Sequence, residues 1–286
     1  MDKNFVHLIY IPFRGVGIDL RDDKWFKDRI GVFKEYTLKS FQKQTCQNFV
    51  IWLSFRKEDE NSILIRELSD YLKVNNMLYV FTFDGLMYHD DKFSKGLKNR
   101  LWNFGRVLRW CWRNSWKDFI PSIRFILQDK NATLKDRLEK SLAILKTYFS
   151  GADWVIMTRI DSDDMFRQDM VQFIQCYPRL GGALICHNGF IYNSTTNEMA
   201  EWKPLTNPPF YSIIFPGSVF FNTDEHLKYY KDFKSHEDIS KIFNPMVLPD
   251  YLYCVLTHNP KNHISTIWNH PFRGQLVNPD TLNLFR

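Results

Sequence analysis

With 286 residues, 44% of them hydrophobic and 24% charged, and with 25 Phe, 13 Tyr and 9 Trp, the chain can bury a sizeable core, which excludes a disordered polymer. Its formal net charge of +6 is compatible with small anions, a membrane surface or nucleic acid and selects none of them. Cys46, Cys111, Cys176, Cys186 and Cys254 form no CxxC pair, so they indicate neither a zinc ribbon nor a redox dithiol.

The apolar run at 5–13 lacks the basic lead and small-residue cleavage site of a signal peptide, and no stretch approaches the ~20 apolar residues of a membrane span. A soluble, reducing, cytoplasmic setting is the default. The run at 5–11 is of strand length and stops at Pro12; Arg14, Gly15 and Gly17 follow in a loop suited to lie over a nucleotide. Ile30, Phe33, Leu38 and Phe41 fall near helical spacing in 30–44, and 49–55 reads as a second strand. A helix at 58–72 carries Leu64, Leu68 and Leu72, and a third strand at 78–83 ends at Asp84 and Gly85. This β-α-β-α-β series predicts a parallel sheet with right-handed crossovers.

Between 92 and 124 nine Lys or Arg face one acid, Asp118, and are interleaved with Trp102, Trp110, Trp112 and Trp116. Leu97, Leu101, Phe104, Leu108 and Trp112 fit one helical face. Such a basic amphipathic segment is suited first to packing on the sheet with its charge in water, and second to a membrane surface; nucleic acid ranks last. A helix at 133–149 follows, with Leu134, Leu138, Leu142 and Leu145 on one stripe and Gly151 placed to end it.

The apolar strand at 154–157 then leads through Thr158, Arg159 and Ile160 into Asp161, Asp163 and Asp164. In open α/β sheets ligands bind beyond the carboxyl ends of the strands. Two carboxylates one residue apart can converge on one divalent cation where the backbone turns. Asp161, Ser162 and Asp163 thus make a DxD candidate, and Asp164 reads as the cap of a helix after it. Further on, 169–177 reads as helical and 183–186 as a strand, with turn residues at 188–189 and 193–197. The run at 211–221 has Phe215, Pro216, Gly217 and Ser218 at its centre. Short helices are expected at 224–230 and 236–242, a helix or strand at 251–256, and an irregular polar tail at 268–286 that folds back over a cleft.

The words at 29–45 (RIGVFKEYTLKSFQKQT), 48–54 (NFVIWLS), 158–164 (TRIDSDD) and 258–265 (HNPKNHIS), in that order, resemble the GT-A glycosyltransferase plan and within it the rhamnosyltransferase family. The similarity covers most of the chain except an insertion at about 86–130. It implies one GT-A domain over 1–286, with a nucleotide-sugar core at 5–85 and 131–187 and an acceptor side at 188–286. The implied fold is α/β, a mostly parallel central sheet flanked by helices, with a small mixed β part and a basic helical insertion.

The resemblance also assigns roles. Asp161 corresponds to the DxD residue facing ribose and metal, and Asp163 to the ligand of the Mn2+ or Mg2+ that bridges the donor diphosphate. Pro12, Arg14, Asp84 and Arg159 join them as donor-side candidates, with Gly217 as the glycine loop. Glu237 and Asp238 are similar to the acidic pair supplying the base in inverting members, Asp238 being preferred. His258 stands for the late metal-binding His, with His263 and His270 as alternatives. The implied reaction moves a sugar, rhamnose for this family, from a dTDP-, UDP- or GDP-linked donor to a hydroxyl of a glycan or glycolipid. Two other classes fit the residues: a DxD phosphatase or phosphotransferase, and a non-enzymatic membrane- or nucleic-acid-binding module using 92–124.

Overall fold

The computed structural model describes residues 4–13, 23–86, 104–105, 108, 112, 120, 133–177, 181–230, 236–242, 245–257 and 268–286. Arg14, His258, His263 and most of the basic segment at 92–124 lie outside them. The strands in chain order are β1 (Phe5–Pro12), β2 (Val50–Ser54), β3 (Tyr79–Thr82), β4 (Trp154–Arg159), β5 (Met165–Phe166) and β6 (Gly182–Ile185). They continue with β7 (Gly189–Asn193), β8 (Glu198–Trp202), β9 (Tyr211–Pro216), β10 (Met246–Val247), β11 (Tyr253–Thr257) and β12 (Arg273–Val277).

In β1, Leu8, Ile9 and Ile11 are 0% exposed and Tyr10 1%. Its apolar run does not alternate because both faces of the sheet are covered. Ile9 and Ile11, with Ile51, Leu53 and Ile156, share a core with Phe26, Ile30, Phe33 and Phe41 of the first helical stretch and Leu68 and Leu72 of the next helix. Leu8, Tyr10, Val50, Trp52 and Met157 instead pack with Leu138, Leu142 and Leu145. The first stretch runs as Asp23–Val32, one π-helical turn Phe33–Thr37, and Leu38–Gln42. It starts earlier than the spacing predicts because buried Phe26 extends the apolar stripe. Helix Leu134–Phe149 is opened by a capping box in which Thr133 Oγ1 accepts from the Asp136 N–H and Asp136 Oδ2 accepts from the Thr133 N–H.

The main sheet has the order β10-β6-β9-β4-β1-β2-β3. β1, β2, β3 and β4 pair in parallel, as β10 does with β6, while β9 alone runs against its neighbours β4 and β6. This is the mostly parallel α/β sheet expected from the sequence, consistent with the GT-A plan. A second sheet, β12-β8-β7-β11-β5, is the expected mixed β part. Its β7–β8 hairpin turns at Asn193, whose side chain accepts from the N–H groups of Thr195 and Thr196, and at Asn197, where φ is 57°.

Two expectations are corrected here. The tail is not irregular: β12 pairs with β8, and a 3-10 turn, Pro279–Leu284, buries Leu282 beside Phe285. Its order comes from pairing with a strand some seventy residues back, which leaves no local period to read. Asp164 caps no helix, because β5 follows it directly. The segment at 251–256, left open between helix and strand, is β11.

A buried polar line crosses the middle of the main sheet. His7 Nε2 lies 2.7 Å from Thr158 Oγ1, which is 2.7 Å from Ser212 Oγ, and Gln175 Nε2 donates to His7 Nδ1 at 3.1 Å. With Nδ1 accepting, Nε2 carries the proton of a neutral ring. Burial lowers the His7 pKa to about 3. The unfolded chain takes up a proton near pH 6.5 and the folded chain does not, so stability is full above that pH and is lost as pH falls from 6.5 towards 3. We expect a His7→Gln variant to lose about one proton's worth of this slope between pH 6 and 4, about 1.4 kcal/mol per pH unit. Denaturant melts across that range check it, and an unchanged slope would show that His7 does not titrate as described.

Candidate functional site

Strand order reverses between β1 and β4: from β1 the chain steps outward through β2 and β3, then returns to place β4 on the other side. Ligand crevices in such sheets open at this point, beyond the carboxyl ends of the strands. The carboxylates sit there. The Ile160 N–H donates to Tyr10 C=O at 3.2 Å, and the Asp164 N–H to Asp161 C=O at 3.3 Å, which closes a turn over 161–164.

Each carboxylate of the turn has a different partner. Asp163 is held by Arg29, from helix Asp23–Val32: Arg29 Nη1 donates to Oδ2 at 2.5 Å, Nη2 to Oδ1 at 2.6 Å, and Nε to Ser162 Oγ at 2.8 Å. This two-pronged pair is the geometry that a planar guanidinium fork suits. It is almost fully buried, the two side chains being 8% and 7% exposed. Asp161 receives Arg159 Nη2 at 2.8 Å and remains 36% exposed, while Arg159, itself buried, also donates to Pro209 C=O at 3.2 Å. Burial works against the Arg159 charge, but Asp161, Tyr211, Tyr10 and Asp164 outweigh it and raise the pKa. Asp164 is sequestered and accepts from the Leu256 N–H at 3.0 Å, which ties the turn to the second sheet. Burial, then the charges of Asp163 and Asp161, push its carboxyl well above the usual range.

The acidic pair Glu237 and Asp238 comes to this end of the sheet by way of the loop at 207–209. Residues His236–Asp238 form a 3-10 turn leading into helix Ile239–Ile242. Asn207 Nδ2 donates to Glu237 C=O at 3.0 Å and Ser240 Oγ at 2.9 Å, and His236 Nδ1 donates to Asn207 C=O at 2.5 Å. Arg159 grips the same loop two residues on, at Pro209. Burial and then the Arg159 charge lower the His236 pKa, while Asn207, Asp161 and Glu237 oppose them, which places the ring in the field of the acidic turn. Glu237 is exposed and Asp238 buried. His236 and Asn207 are site residues that the sequence reading passed over. For His236 the signal lies in SHED at 235–238, directly before the two acids.

Other candidates divide. Pro12 ends β1 opposite Ser54, near the turn. Asp84 lies past the carboxyl end of β3, but its carboxylate accepts from the Leu86 N–H at 3.0 Å and from the Ser141 hydroxyl, and its C=O takes Arg137 at 2.7 Å. Burial raises its pKa against those bonds. Its carboxylate therefore anchors the 84–86 loop to helix Leu134–Phe149. Gly217 is not brought to the site. It follows β9 at the opposite end of the sheet, beside Trp154, so that the length of β4, about 17 Å at ~3.3 Å per strand residue, lies between it and the acidic turn. A Cβ at Gly217 would meet Ala152 C=O at 1.9 Å, so glycine is required there by backbone packing rather than by a donor.

The divalent cation implied by the resemblance meets a poor set of donors. Both oxygens of Asp163 are engaged by Arg29, one oxygen of Asp161 by Arg159, and among the described residues no group of three His, Cys, Asp or Glu is placed to hold a metal ion. As placed, these residues do not fit the ion. Among the described residues no helix is long and apolar enough to cross a membrane.

No protein-family model matches the chain, and no curated protein does. Among solved structures it is similar to S. aureus TarS. Residues 1–349 of TarS, in complex with UDP, match at TM-score 0.38 and 12% identity over 91% of this chain and 62% of that one. A second S. aureus TarS structure matches at TM-score 0.33 and 13% identity over 92% of this chain and 38% of that one. The chain thus spans less than two thirds of the length of either.

Removing one partner of a buried ion pair leaves the other charged and desolvated, at a cost of about 3–5 kcal/mol. We expect that loss in Arg29→Ala and in Asp163→Asn. The double variant should cost clearly less than the two losses summed, because it leaves no orphan charge. Denaturant melts of the four proteins check this, and additive losses would show the pair to be energetically uncoupled.

Proposed function

We propose that the chain is a glycosyltransferase that moves a sugar from a nucleoside diphosphate donor to a hydroxyl of a glycan or glycolipid acceptor. One observation carries this reading: the partly exposed carboxylate of Asp161, just past β4 at the point where strand order reverses, is bridged through Arg159 and the 207–209 loop to the Glu237–Asp238 turn. Asp161, with one oxygen fixed on Arg159, has the other for hydroxyl donors, the chemistry of a ribose or a sugar. A carboxylate at the second turn is suited to take the acceptor proton as attack begins, a contribution of typically ~10²–10⁴-fold. Asp238 is our assignment for that base and Glu237 the alternative, the latter being the more exposed. A single displacement inverts the anomeric carbon. Rhamnose as the transferred sugar rests on the resemblance of the sequence words alone.

A phosphatase of the DxD type needs its acidic pair on the first strand, whereas here it follows the fourth. Peripheral membrane contact through 92–124, outside the described residues, would serve a lipid-linked acceptor.

The test is a thermal-shift panel of dTDP, UDP and GDP. A ligand bound only by the folded chain stabilises it by about 2.7 kcal/mol at a hundred times its Kd. We expect one nucleotide to raise the melting temperature, the shift to vanish in Asp161→Asn, and Asp238→Asn to keep the shift while losing about 10²–10⁴-fold in transfer rate. No shift with any of the three nucleotides would sink the reading.

A further inference from the structure

We propose that Arg29 and Arg159 close the acidic turn to divalent cations, so that nucleotide binds here without a metal ion. The inference rests on the transferase reading above and concerns what supplies positive charge at its site.

A hard cation binds carboxylate oxygens at ~2.0–2.6 Å and requires accessible lone pairs on several of them. At Asp163 the Arg29 fork covers both oxygens, at 2.5 and 2.6 Å, and the pair is 8% and 7% exposed, which leaves no room for a hydrated ion. Arg29 is not a side chain ready to swing away. Its Nε is spent on Ser162 Oγ, and its helix is fixed in the core by Phe26 and Ile30 on either flank. Ligation by Asp163 would therefore require breaking a buried pair, with a cost in stability before any ion bound.

Asp161 is more open, but Arg159 occupies one oxygen and is itself anchored on Pro209. The two nearest carboxylates are each matched by one guanidinium, so a divalent ion would add charge to a pair of sites already neutral. Arg29 is thus a positioning residue: it orients Asp163 and Ser162 and holds the position that a cation would take.

The experiment titrates Mn2+ into the full chain, reading free Mn2+ by electron paramagnetic resonance, and repeats the nucleotide thermal shift with EDTA and with Mn2+. We expect the wild type to take up no Mn2+ that Asp163→Asn abolishes, and its nucleotide shift to be equal in EDTA and Mn2+. Arg29→Gln, which removes the charge and the fork, should gain Mn2+ affinity by about tenfold or more, and adding Asp163→Asn should remove the gain. A merely structural Arg29 would produce no such gain.

Uptake of Mn2+ by the wild type through Asp163, or collapse of the nucleotide shift in EDTA, overturns the inference while leaving the transferase reading intact. A folded Arg29→Gln that gains no Mn2+ also overturns it. Failure of every nucleotide to bind sinks the transferase reading instead, and the inference with it. If Arg29→Gln does not fold, the wild-type Mn2+ titration decides alone.

Discussion

The buried pair between Arg29 and Asp163 is the constraint on which the site depends. Taking two such charges out of water costs several kcal/mol per ion, and only close, multiply bonded geometry compensates for it. Here two hydrogen bonds from the guanidinium to Asp163, 134 residues away, and a third to Ser162 do so. The helix that carries Arg29 must dock at one rotation and one height for the fork to meet its partner. The pair therefore fixes how the first helix sits against the end of β4, and with it the shape of the acidic turn.

From that turn the remaining elements are placed in sequence of contact. Asp164 reaches the second sheet through the Leu256 N–H, and Arg159 reaches the 207–209 loop through Pro209. The loop in turn holds the His236–Asp238 turn through Asn207. One run of five residues, 159–164 less the apolar Ile160, thus contacts a helix, a second sheet and the loop that holds the opposing acidic turn. Behind it the sheet is stiffened by the polar line from Gln175 through His7 and Thr158 to Ser212. Buried networks with all members paired restrict a core to one arrangement, and this one crosses the three central strands that aim the turn.

Much of the fold was legible because its signals are local. β1, β2 and β4 are unbroken apolar runs, and helix Leu134–Phe149 carries its stripe and its capping box in the sequence itself. The acidic turn was legible for the same reason. Gly217 was misplaced because a glycine after Pro216 reads alike whether it approaches a ligand or the backbone of Ala152. The tail was missed because its order comes from pairing with β8, and Asp164 was misassigned because its partner lies 92 residues away.

What the sequence determined by itself was the strands β1 to β4 and β6, the parallel half of the sheet and the position of the acids at the end of a buried strand, since each follows from periodicity and composition over a few residues. Only the tertiary structure decided which charge meets which. Arg29 beside Asp163, Arg159 on Pro209 and His236 over the 207–209 loop are contacts between segments tens to more than a hundred residues apart. A charged side chain's chemistry depends on its partner and its burial, and neither is written in the residues next to it.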